Sequence, residues 1–331
     1  MQVTRKLYIS FISLIAVIAF AGCGTTGDDD SQTLSKYDTA QLLDFSKTND
    51  YEVIVGSKES TVLRSVSHKS VSVDSSSSAW KNIADSVKNA IKTKKYSTRT
   101  YTDDGANVIY ENREYGDISG YFDMRLVINK EDGSFTGSMD YHDYKSSEDG
   151  ECEGNSISIN GKLSVEGKYD LYNEAVNTML MSVVDDVVIN DIVFKDNFSI
   201  RIDYQDTNED DAVLTLNGDI VQYGKNYGFK DYKLRSYPSE DNQYNYSYPI
   251  SGNIYIFSDG IDGYFYVDTS YRHDLTPTKS DICQEHFYAG REKYIGDNSK
   301  LIFKIDSTDH YRIDIDYGDD GSVDKTIEGQ L

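Results

Sequence analysis

The chain has 331 residues and carries 33 Lys and Arg against 56 Asp and Glu, a formal net charge of −23 at pH 7. That balance disfavours nucleic acid and anionic lipid headgroups as partners, because both need a basic footprint that releases counterions, and it leaves cations or neutral polar ligands open. Apolar residues make up 38% of the chain and tyrosine alone fills 28 positions, a composition that suits sheets with one wet face rather than a thick two-sided core.

In chain order, Arg5 and Lys6 come first, then an apolar run from Leu7 to Phe20, closed by Ala21, Gly22 and Cys23. A positive start, a short apolar stretch and small residues before a cut describe a secretory signal over residues 1–22. Phe20-Ala21-Gly22-Cys23 resembles the lipobox of bacterial lipoproteins, a family that usually has Leu where this chain has Phe20. The resemblance covers residues 1–23 only. It implies a diacylglyceryl thioether on Cys23, further acylation of the palmitate type, and, with Gly24 rather than Asp after the Cys, residence at the outer membrane. Each buried methylene of an acyl chain is worth about 0.8 kcal/mol, so several chains on Cys23 would moor a domain with no spanning helix. No second segment approaches the roughly 18 apolar residues needed to cross a bilayer. Loss of Arg5 and Lys6 with the signal would leave 31 basic against 56 acidic residues, a net charge of −25.

Residues 23–50 read as a flexible acidic tether. Asp28 to Asp30 is a run of hydrated charge, and Leu42, Leu43 and Phe45 suggest a short helical turn near its end. Residues 51–331 read as a single β-rich domain. Tyr51–Val55 and Leu63–Val73 are its first expected strands. Ser75 to Ser78 then offer N-cap hydroxyls, and Trp80, Ile83, Val87 and Ile91 recur at spacings of three, four and four. This predicts an amphipathic helix near 76–94 with Lys81, Asp85, Lys88 and Lys92 toward water. Trp80 sits on the apolar stripe and is expected to anchor the helix to the sheet rather than serve as a ligand platform.

From Arg99 onward the period falls to two, punctuated by Asp104-Gly105, Asp132-Gly133, Asp149-Gly150, Asp259-Gly260 and Asp262-Gly263, a strong hairpin signal. A short phrase, apolar-(Ser/Thr/Asn)-Gly-x-apolar, recurs around Gly120, Gly137, Gly161, Gly218 and Gly252. Its uneven spacing suits an antiparallel β-meander better than a solenoid or propeller, which need a fixed period. Glycine inside a strand permits a bulge, and bulges let a large sheet curl toward a barrel or half-barrel. Between Asp170 and Val184, the residues Ala175, Val176, Met179, Leu180 and Val183 stand at helical spacing, so a second short helix is the favoured reading there and two strands the alternative. Met179 and Met181 suit core filling better than an adaptable lipid groove. Strands are expected again at 187–194, 198–204, 212–222 and 227–235.

Tyr244, Tyr246, Tyr248, Tyr255, Tyr264 and Tyr266 crowd a region rich in Asp, Asn and Ser. Sugars stack on aromatic faces while carboxylates and amides take their hydroxyls, so these are candidate glycan contacts; ordinary cross-strand tyrosine pairs are the other reading. After two alternating strands at 300–306 and 312–317, Asp316, Asp320, Ser322 and Asp324 fall at the first, fifth, seventh and ninth places of an EF-hand-like loop. Gly318 and Ile327 spoil the third and twelfth places, so a Ca2+ turn competes with a solvated hairpin, and no other cofactor is called for. With Cys23 acylated, Cys152 and Cys283 remain as one candidate disulfide in an oxidising compartment. No nucleophile elbow, P-loop, dinucleotide fingerprint or His-Glu-x-x-His motif is present. The expectation is an outer-membrane-anchored, non-catalytic envelope module that binds a glycan or lipid or serves a structural role. A lipid carrier with an apolar cavity is the alternative, followed by a glycan hydrolase whose two carboxyls would face each other across about 5–9.5 Å.

Overall fold

A computed structural model describes residues 36–47, 72–92, 101–147, 156–206, 211–222, 224–238, 244–258, 261–267, 276–281, 287–307 and 310–330. Cys23, Cys152, Cys283 and the expected strand at Tyr51–Val55 lie outside them. In chain order come α1 (Lys36–Thr39), β1 (Gln41–Leu42), α2 (Ser72–Lys92), β2 (Tyr101–Asp103), β3 (Asn107–Tyr115), β4 (Ser119–Asn129), β5 (Ser134–Ser147), β6 (Ser156–Asp170) and β7 (Ala175–Ile189). These are followed by β8 (Ile192–Phe194), β9 (Ser199–Tyr204), β10 (Ala212–Gln222), β11 (Lys225–Pro238), β12 (Tyr244–Ser258), β13 (Ile261–Val267) and β14 (Thr276–Asp281), and then by β15 (Phe287–Gly296), β16 (Ser299–Ser307), β17 (His310–Tyr317) and β18 (Lys325–Gln330).

From β2 to β7 each strand pairs antiparallel with the next. The short strands β8 and β9 then share one place between β7 and β10, and β13 and β14 share the place between β12 and β15. Antiparallel pairing resumes through β16, β17 and β18. The result is the expected meander, curled so that one face lines one continuous core. Period-two alternation decides which face: on β4, Phe122, Met124, Leu126 and Ile128 are buried, while Tyr121, Asp123 and Arg125 turn outward. Asp104-Gly105 and Asp132-Gly133 make the expected hairpin turns, each Asp accepting backbone N–H bonds within its turn. Asp262-Gly263 lies instead inside β13.

Helix α2 packs on the core side of the sheet. Trp80, Ile83, Val87 and Ile91 are all buried, at 0 to 3% exposure, and the helix lies on β6, β7 and β8. Trp80 meets Phe194 edge-on at 5.2 Å and Phe198 at 6.0 Å, the anchoring role its periodic position implied. The helix begins at Ser72, so Val73 belongs to it and not to a preceding strand.

Four of the five repeated glycines have positive φ, namely Gly120 (66°), Gly161 (115°), Gly218 (105°) and Gly252 (121°). Each falls at a slip in the ladder between neighbouring strands. The slips also line up. Gly120 faces Asp143 on β5, the β5 bulge faces Asn160–Gly161 on β6, and Gly161 faces Asp186 on β7. The gap between β8 and β9 continues the line to Gly218, and Asp231 on β11 carries it to Gly252. One transverse crease therefore crosses the sheet from β4 to β12, and because each bulge bends its strand and adds twist, the crease curls the sheet. The fifth copy, Gly137, sits in unbroken register at a close approach to Leu126.

Two expectations are corrected. Asp170–Val184 holds no helix: β6 ends at Asp170, whose carboxylate accepts the Tyr172 and Asn173 N–H groups, and β7 begins at Ala175. The misleading spacing has a physical origin, since a ladder slip opposite Lys168–Tyr169 buries Ala175 and Val176 in succession before Met179, Met181 and Val183 alternate inward. A strand read across a bulge imitates helical spacing. The second correction concerns the tether, because Lys36–Lys47 is docked on the sheet. β1 pairs parallel with β13, the Leu43 N–H donates to Tyr264 O at 2.7 Å, and Asp297 N–H donates to Leu43 O at 2.7 Å. Phe45 is fully buried against Phe265.

Candidate functional site

The outward face of β3 to β6 carries polar and aromatic side chains in rows set by register. Tyr115 pairs across the ladder with Tyr121, and Tyr121 with His142. The next row is Arg113, Asp123, Asp140 and Lys162. The third is Glu111, Arg125, Ser138 and Ser164. Because the side-chain period along each strand is two, all three rows stand on the face opposite the core.

In the aromatic row, the Tyr115 and Tyr121 ring centroids are 6.1 Å apart and those of Tyr121 and His142 are 4.7 Å apart. The Arg113 guanidinium carbon lies 4.0 Å from the Tyr121 ring centre. That guanidinium also forks onto Asp123, with Nε to Oδ1 at 2.7 Å and Nη2 to Oδ2 at 2.6 Å. Behind it, Arg125 Nε donates to Glu111 at 2.8 Å. Asp140 lies 3.3 Å from His142 Nε2 and 3.7 Å from Lys162 Nζ. The two charged rows, with the small Ser138, border an open groove of about 450 Å³ beside the aromatic row.

Electrostatics fix what the groove can do. Hydrogen bonding from Arg113 holds the Asp123 carboxyl below the usual carboxylate range, and the same bond pushes Arg113 up. A carboxylate clamped by a guanidinium stays ionised, so Asp123 is not suited to act as the general acid that glycoside hydrolysis requires. Glu111, Asp123 and Asp140 balance Arg113, Arg125 and Lys162, so the groove presents many fixed donors and acceptors with no net charge.

The tyrosines singled out from the sequence lie elsewhere. Tyr244, Tyr246 and Tyr248 are on β12, their backbones paired with β14 or β11. Tyr255 is buried, edge-on to Tyr37 at 4.8 Å and stacked on Tyr264 at 5.1 Å, and so belongs to the packing between the N-terminal segment and the sheet rather than to an open platform. Tyr264 and Tyr266 are half-buried on β13. In the C-terminal turn the carboxylates bend back on their own backbone: Asp316 accepts from Gly321 N–H at 2.9 Å, Asp324 from Tyr317 N–H at 2.6 Å and Asp320 from Ser322 N–H at 2.8 Å. Among the described residues, no three His, Cys, Asp or Glu side chains gather as a metal-holding group.

Tyr115, Tyr121, His142 and their charged neighbours were missed from the sequence, although a signal exists. Folding the chain about Gly116–Ile118 sets Tyr115 opposite Tyr121, Arg113 opposite Asp123 and Glu111 opposite Arg125. No protein-family model, curated protein or solved structure matches the chain.

Proposed function

We propose that this protein is a lipid-anchored, non-catalytic module of the bacterial cell envelope, moored at the outer membrane through acylated Cys23, that binds its partner on the outward face of the curled sheet. The observation that carries the reading is where the polar and aromatic groups stand. Among the described residues, the core side of the sheet packs α2 on β6, β7 and β8 and buries large side chains such as Phe229, Leu214 and Met181 at 0% exposure, whereas the groove over β3 to β6 is open and richly functionalised. A carrier for a lipid or acyl chain needs a connected apolar cavity on the concave side, where this chain packs its helix. The Asp28–Asp30 stretch fits a solvated spacer between Cys23 and the docked segment that starts at Lys36.

The test is Cys23→Ser with fatty-acid labelling. The natural chain partitions with the outer membrane and carries label, while the variant loses the label and leaves that fraction. An equally membrane-bound, equally labelled variant contradicts the proposal.

A further inference from the structure

We infer that the Tyr115–Tyr121–His142 row and the groove beside it form a binding site for a neutral glycan chain. The inference rests on the reading of the protein as an envelope binding module and names the class of partner. Tyr115 is 73% exposed, so its ring gives most of its surface to solvent. Such exposure of an aromatic costs solvation free energy that a stacked apolar partner would recover. The His142 side chain is 45% exposed at the other end of the row. Tyr121 is held between the Arg113 guanidinium and the His142 ring, which leaves Tyr115 as the stacking face; strands stand about 4.8 Å apart, so the row spans about 10 Å, more than one sugar ring and suited to a chain.

Charge selects among polymers. The groove's three carboxylates and three cations neutralise one another, while the whole chain carries a net charge of −23. A polyanion would meet no local attraction and a repulsive surrounding field, and a polycation has many more acidic surfaces to choose from. A neutral polyhydroxylated chain loses nothing by the local neutrality. Its hydroxyls can donate to Asp140 and Glu111 and accept from Lys162 and Arg125, whose charges make these bonds stronger than neutral ones. The Arg113–Asp123 fork and the Arg113 contact on the Tyr121 ring hold these side chains in place before any ligand arrives, which lowers the ordering cost of binding.

The experiment is affinity electrophoresis of the full chain, purified in detergent, through gels containing dextran, mannan, xylan or β-glucan, with polygalacturonate as the acidic polymer. At least one neutral polymer is expected to retard the chain. Tyr115→Ala and His142→Ala, both at exposed positions, should each weaken that retardation about tenfold. Tyr172→Ala, at a 93% exposed site on the β6–β7 turn, should leave it unchanged. Indifference to every neutral polymer, retardation by polygalacturonate alone, or equal retardation of Tyr115→Ala overturns the inference. A chain moored through Cys23 that ignores every neutral polymer defeats the glycan site and leaves the anchored-module reading standing.

Discussion

Gly161 and Gly105 show two different reasons why a single residue must be glycine. Both have positive φ, at 115° and 95°, but a Cβ on Gly161 would stand 2.6 Å from Asp186 O, whereas one on Gly105 would meet nothing within 4 Å. Gly161→Ala therefore combines backbone strain with a clash against the next strand, and Gly105→Ala has the strain alone, which is worth about 1–3 kcal/mol. Urea unfolding should find Gly161→Ala the more destabilised of the two; equal losses would mean that the crease tolerates a side chain. That glycines interrupt strands was legible in the repeated phrase. Their alignment into one crease was not, because it depends on the register between strands, and register is a property of pairs rather than of any one stretch.

Among the elements, α2 was legible because one stripe, Trp80 to Ile91, dictates both its existence and its buried face. Trp80→Ala removes the contacts to Phe194 and Phe198 and should cost about 3–5 kcal/mol of stability, the usual range for emptying an aromatic core position; a loss under 1 kcal/mol would contradict the helix docking. β7 was misread because a bulge shifted its phase midway, so that Ala175 to Val183 copied a helical period. In the docked segment Lys36–Lys47, Leu42, Leu43 and Phe45 suggest a helical turn, but the helix lies earlier, at Lys36–Thr39, and Gln41–Leu42 is a strand. The segment is held by the buried Phe45, by Tyr37 packed on Tyr255 and Phe257, and by main-chain bonds to Tyr264 and Asp297 that no sequence pattern announces. Phe45→Ala should speed hydrogen exchange at the Leu43 and Asp297 amides while leaving β4 to β6 as protected as before. Uniformly faster exchange through β4 to β6 would show that the segment is part of the global core rather than a local latch.

At the scale of the whole molecule, two kinds of titrating group predict a stability plateau. On the acid side, Asp132 is held down by Lys168, Asp123 by Arg113 and Asp170 by the Asn173 N–H, all below their ordinary values. Groups depressed on folding contribute stability above the unfolded carboxylate pKa of about 4, and lose it as pH falls through the folded value. On the alkaline side, burial pushes Tyr141, Tyr232 and Tyr294 upward, so their contribution is complete below the unfolded phenol value of about 10 and disappears as pH rises beyond it. Urea midpoints should be flat between about pH 5 and 9 and fall on both sides, with Asp132→Asn together with Asp170→Asn making the acid limb shallower; an unchanged acid limb would mean that the turn carboxylates are not its source.

The proposed function gives the domain its place in the cell through one thioether, on Cys23. The most direct measurement is native mass spectrometry of the chain purified from the outer membrane. It should show a polypeptide that starts at Cys23 with covalent acyl groups, and no further lipid held non-covalently. A chain that begins at Met1 or at an unmodified residue, or one that releases a lipid from its interior on unfolding, would contradict the account.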